Sequence, residues 1–194
     1  MKNTIYFLLI IFTLNCFGQV PSSGNYNELI LVRNDVKKTI DGYFNSSTGN
    51  GQITCLYEFQ GFYKTLNDKT IKVKAIWPDD DEKISGQLIC KENNKFILKF
   101  NEYLPGDMAC GGASQEGAEF ELIKLIDWKE IRIAKSNKTY FYKEPKESTK
   151  RKAYITEYDA VGVIQEKGEW LFVDFYGQKL TTGWVKKSDF YKTK

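Results

Sequence analysis

No histidine occurs anywhere in the chain. That absence removes a Ser–His–Asp triad, a Cys–His pair and any histidine-ligated zinc site from what these residues can build alone. Charge of one sign is also lacking. The formal net charge is +3 over 194 residues, spread along the chain, so no basic stripe marks a nucleic-acid partner. Helix-terminus motifs that would frame a catalytic pocket are missing too. Carboxylate-pair or Ser–Lys hydrolysis remains chemically open, and Glu116 and Glu119 beside a long loop are the acids placed for it. Loops collect acids in any case, so the expectation is a non-catalytic protein with no cofactor. The acidic run 79–82 lacks the alternating ligand positions and the glycine of a calcium loop. It reads as a solvated turn, with no metal expected.

Long apolar runs are confined to the N-terminus. Lys2 opens a basic segment, residues 4–14 are apolar, and Asn15-Cys16-Phe17-Gly18 offers small residues for cleavage. Residues 1–18 therefore read as a secretory signal peptide with Gln19 as the new N-terminus. The apolar stretch is too short to span a membrane comfortably. The alternative is a lipoprotein acylated at Cys16, for which Thr13 and Asn15 fit the surrounding pattern poorly. The expected location is exported, periplasmic or extracellular. After cleavage Cys55, Cys90 and Cys110 remain, and an oxidising compartment favours one disulfide among three possible pairings. The Gly-rich loop around Cys110 gains most from a tether to a strand. Cys55–Cys110 is the expected pair, with Cys90 a buried small hydrophobe.

What the chain has in abundance is aromatic residues: 12 Tyr, 13 Phe and 4 Trp. These favour strands, where rings pack across a pleated surface. Residues 19–28 form a polar leader. Residues 29–44 are ambiguous, since Leu29, Val32, Val36 and Ile40 recur at helical spacing while 40–44 reads as a strand. A turn cluster follows at 45–51. Ile53, Cys55, Tyr57 and Phe59 then share one strand face, and 70–77 alternates apolar with basic. Residues 84–91 and 96–100 form a hairpin around 92–95. Strands are expected again at 120–125 and 127–134. The result is an antiparallel β-sandwich or small barrel over 29–135. Its Cys55 strand and Cys110 loop are similar to those of the small disulfide-linked barrels of periplasmic lysozyme inhibitors. The Ser-Gly-x-x-Tyr-type loop of some of those has only Gly111-Gly112-Ala113-Ser114 in its place.

The texture changes at residues 136–194. An aromatic strand at Tyr140-Phe141-Tyr142 is followed by Pro145 and a charged loop, then by strands around Asp159 with Val161 and Val163. Gly168-Glu169-Trp170-Leu171-Phe172-Val173, Gly183-Trp184-Val185 and the closing Asp189-Phe190 complete the order. This third of the chain resembles a bacterial SH3-like domain, with Tyr158 standing where the family often has glycine. The resemblance implies a small barrel filled by large rings, Trp184 among them. It also implies a recognition module, often attached to cell-wall enzymes and sometimes binding peptidoglycan peptides. Tyr140, Tyr142, Tyr158 and Tyr176 are the candidate ligand-facing cluster.

The expected architecture is therefore mainly β, an N-terminal sandwich or small barrel followed by an SH3-like barrel, with no membrane span. The expected function is non-catalytic binding in the cell envelope, with a peptide, cell-wall component or protein as partner. The alternative is an inhibitor or immunity protein against a secreted hydrolase, with loop 104–118 as its working element.

Overall fold

A computed structural model describes residues 19–48, 53–76, 82–102, 110, 116–177 and 179–191. Among these the chain is β-strand and turn with two short 3₁₀ turns and no α-helix. The first sheet comprises β1 (Gly24–Asn25), β2 (Leu29–Asn34), β3 (Thr39–Thr48), β4 (Ile53–Phe62), β5 (Thr70–Ile76), β6 (Ile84–Cys90), β7 (Lys95–Phe100), β8 (Ala118–Glu121) and β9 (Lys124–Leu125). The second comprises β10 (Glu130–Ile133), β11 (Thr139–Tyr142), β12 (Lys150–Ile155), β13 (Ala160–Lys167), β14 (Trp170–Tyr176) and β15 (Leu180–Lys186).

The first sheet is an antiparallel meander in the order β8-β7-β6-β5-β4-β3-β2-β1-β9. Its two edge strands are neighbours in sequence. Residues 118–121 pair with β7, and 124–125 pair with β1. One stretch of chain thus joins both edges and curls the sheet onto itself, which limits the exposed-edge hazard. The alternation of β5, β6 and β7 turns Ile71, Val73, Leu88, Phe96, Leu98 and Phe100 inward. The interior is lined with rings from opposite sides of the curl. Tyr26 meets Phe96 at 5.1 Å, and Phe44 meets both Tyr57 at 5.1 Å and Phe120 at 5.9 Å. Cys55 on β4 is bonded to Cys110, with Cα atoms 5.2 Å apart. Cys90 is a buried free thiol. The expected pairing is the one found.

One ambiguity in this half is resolved and two expectations are corrected. Residues 29–44, open between helix and strand, are two strands, as read for 40–44, and Val36 is 93% exposed at their turn. The helical spacing misleads because β2 is buried on both faces. Leu29 and Leu31 enter the curled sheet's core, while Ile30 and Val32 pack beneath the second sheet. A strand covered on two sides reads as an unbroken apolar run. The polar leader contributes β1, with Val20 and Tyr26 buried. The turn expected from residue 45 begins later, since β3 runs on to Thr48.

The second sheet has the order β10-β13-β14-β15-β11-β12. Residues 127–134, expected to close the first module, instead supply β10, which pairs with β13. Periodicity identifies a strand but not the sheet it joins. The second core is aliphatic: Val161, Val163, Leu171, Val173 and Val185 with Phe141 and Phe190. Residue Tyr158 adopts φ +66°, the left-handed turn conformation that glycine takes most easily.

The two sheets share a third cluster of Ile30, Val32, Tyr43, Trp128 and Ile133. Trp128, 1% exposed, lies in the link before β10. Its ring covers Gly162, where a Cβ would sit 2.3 Å from the indole. The Trp128 Nε1–H donates to Asp174 Oδ2 at 3.2 Å. The Tyr43 hydroxyl donates to the Tyr158 carbonyl at 2.5 Å. The buried Trp128 indole and Tyr43 hydroxyl are thereby satisfied at the junction.

Candidate ligand-binding surface

Strand alternation in the second sheet separates two faces. On β14, Leu171 and Val173 point into the core, and Trp170 and Phe172 point away and stay partly exposed. On β15, Gly183 and Val185 point inward and Trp184 and Lys186 outward. Register aligns these outer side chains across four strands. Phe172 pairs with Trp184, Trp184 with Tyr142, and Tyr142 with Lys150. The rings touch: Phe172 to Trp184 at 5.2 Å and Tyr142 to Trp170 edge-on at 4.8 Å. A row of aromatic side chains therefore crosses the outside of this sheet.

Charged groups border the row. Lys186 Nζ and Glu147 form an ion pair, and the Tyr142 hydroxyl donates to Glu147 Oε2 at 3.4 Å. The hydrogen bond from Lys186 holds the Glu147 carboxyl below its ordinary range, and the same contact raises Lys186. Burial pushes the Tyr142 hydroxyl upward, so it stays a neutral donor. Further along, Lys150 Nζ sits 3.5 Å from the Tyr140 ring centroid and Lys138 Nζ 5.0 Å from that of Tyr154. Tyr140 and Tyr154 are 5.7 Å apart. Flat rings edged by ammonium and carboxylate groups can stack on sugar or proline rings and hydrogen-bond amides.

The four candidate tyrosines do not form one cluster. Tyr140 stands on the aromatic face. Tyr142 lies there too, but as the floor beneath Trp170, only 4% exposed, which corrects the expectation of a solvent-facing ring. Tyr158 stacks on Tyr191 at 6.4 Å, and Tyr176 packs edge-on against Trp128 at 5.8 Å. Both belong to the junction between the sheets. The Tyr176 hydroxyl is buried without a hydrogen bond among the described residues.

Sequence reasoning missed Phe172, weighed Trp170 and Trp184 as either barrel filling or a surface stacking platform, and favoured the core for Trp184, which stands on the outer face. The signal was present in the alternation of Trp170-Leu171-Phe172-Val173, where the aliphatic residues already fill the interior. Glu116 and Glu119 are exposed, on the turn before β8 and on β8. Among the described residues no group of three His, Cys, Asp or Glu is placed to hold a metal. Asp107, Met108, Gly111-Gly112-Ala113-Ser114, residues 79–81 and the N-terminal segment with Cys16 lie outside the described residues. No described helix is long and apolar enough to cross a membrane. Compared with protein-family models, with curated proteins and with solved structures, the chain matches none.

Proposed function

We propose that this is an exported, non-catalytic binding protein of the cell envelope. Its C-terminal third is an SH3-like recognition module for a peptide or a cell-wall component. The observation that carries this reading is the aromatic row in which Trp170, Trp184 and Phe172 are partly open to solvent over the buried Tyr142, bordered by Lys186 and Glu147. Rings of this size are normally buried, and a contiguous set left partly in water marks a surface that can meet a partner. The disulfide fits the oxidising compartment that export requires. The SH3-like reading is supported by the order of elements. A short aromatic strand leads into a charged loop, the antiparallel run β13-β14-β15 follows, and a 3₁₀ turn at Lys187–Asp189 precedes Phe190, which bridges back to Ala134. The lack of histidine supports the non-catalytic part.

Co-sedimentation with purified peptidoglycan sacculi tests it. The chain from Gln19 onward should pellet with sacculi, and W170A/W184A should stay in the supernatant while melting near the parent. Failure of both to pellet refutes a wall ligand.

One observation favours a second reading, inhibition of a secreted hydrolase. Cys110, within the segment 104–118, is tied to β4 by the disulfide, and a covalent tether lowers the ordering cost of insertion into a cleft. Alanine substitution of Asp107 and Met108 should then abolish inhibition.

A further inference from the structure

A second surface lies away from the aromatic face. A groove of about 1160 Å³ runs between the outer face of β3–β6 and strand β10. Lys37, Lys72, Lys74, Lys83, Lys129 and Arg132 line it, against Asp41, Glu58 and Glu130. Arg132 and Glu130 neutralise each other at 2.8 Å. Burial raises the Asp41 carboxyl, which accepts a hydrogen bond from Gln60 Nε2 at 2.6 Å. The positive excess therefore rests on lysines, and no ion pair among the described residues engages Lys72, Lys74 or Lys83. Apolar ground alternates with them: Phe62 is 68% exposed and lines the groove together with Ile131.

The wall formed by β10 has a further property. Among the described residues it is the terminal strand of its sheet, paired with β13 on one side and with no strand on the other. The groove is lined by β10 residues and by none from β13, so it opens on the free edge. Among the described residues the tail meets that edge at one end, where Phe190 bridges to Ala134 and the Tyr191 N–H donates to the Ile133 carbonyl. A free strand edge offers backbone donors and acceptors that a polypeptide can complete. An extended chain beside it would turn every second side chain the same way, about 6.6 Å apart, which is the repeat that separates Lys72 from Lys74 on β5.

We propose that this groove receives an extended acidic peptide, added as a strand along the free edge of β10 with carboxylates turned onto Lys72, Lys74 and Lys83. Backbone pairing supplies the register, and the lysines select sign of charge. The free edge favours a polypeptide over a sulfated or phosphorylated polymer, which has no backbone amides to pair.

Fluorescence anisotropy with a labelled octapeptide of alternating Glu and Thr tests this on the chain from Gln19 onward. The peptide should bind saturably, and K72Q/K74Q should weaken it roughly tenfold. Both lysines are exposed, so the variant should keep the parent's melting midpoint. N-methylation of alternate peptide nitrogens should abolish binding. W170A/W184A should bind the peptide unchanged, which separates this site from the aromatic face. Absence of saturable binding overturns the proposal. So does equal binding by the N-methylated peptide or by dextran sulfate, which would make the groove a general polyanion surface.

Discussion

Replacing both Cys55 and Cys110 with alanine isolates the contribution of the one covalent link in the described structure. The bonded residues are 55 apart in sequence. Freeing a loop of that length restores chain entropy to the unfolded state worth about 4 kcal/mol at room temperature. Each kcal/mol moves the midpoint of a domain this size by about 2–4 °C, so Tm should fall by about 8–16 °C. Both sulfurs are fully buried, so the parent's bond should resist mild reductant until the protein opens. Circular dichroism melts of parent and variant, with and without dithiothreitol, read this directly. The parent should drop towards the variant only in reductant, and the variant should not respond. Cys90 should not complicate the result, because burial pushes its thiol up to about 11 and keeps it an unreactive thiol at neutral pH. A variant within about 2 °C of the parent would refute the argument that the long loop's closure is what the bond stabilises.

Three further outcomes follow from the packing. Trp128→Ala should cost about 3–5 kcal/mol in urea denaturation, because the ring fills the junction between the sheets and satisfies Asp174; a loss under 1 kcal/mol would contradict a shared core. Gly162→Ala should be destabilising by about 1–3 kcal/mol, since its new methyl would collide with the Trp128 ring, and thermal melts would show it. Asp41 has its folded pKa raised, chiefly by burial. The parent is therefore best served by a protonated Asp41 at low pH and loses stability as pH rises from the ordinary aspartate range near 3.8 through the raised folded value. Asp41→Asn should melt above the parent at neutral pH, with the gain vanishing below that range.

Period-two alternation carried the reading of β4 to β7, because each has one face in a core and one in solvent. It failed where burial departs from that pattern. β2 is covered on both sides and imitates a helix. β10 alternates as its predecessors do yet joins the second sheet, a choice made by its pairing with β13, a partner distant in sequence that local pattern does not specify. The disulfide was legible from loop logic alone. The aromatic face was only half legible: Tyr140 was singled out, but Trp184 was assigned inward because large rings usually fill small barrels. Here Val161, Val163, Leu171, Val173 and Val185 fill it instead, and the rings are left outside.

The central claim is that the outer aromatic row is the recognition surface. Indole NH resonances of Trp170, Trp184 and Trp128, followed during titration with soluble peptidoglycan fragments, test it most directly. The account predicts that Trp170 and Trp184 shift in a saturable way while Trp128, buried between the sheets, stays in place. Shifts confined to Trp128, or no shift at Trp170 and Trp184, would contradict it.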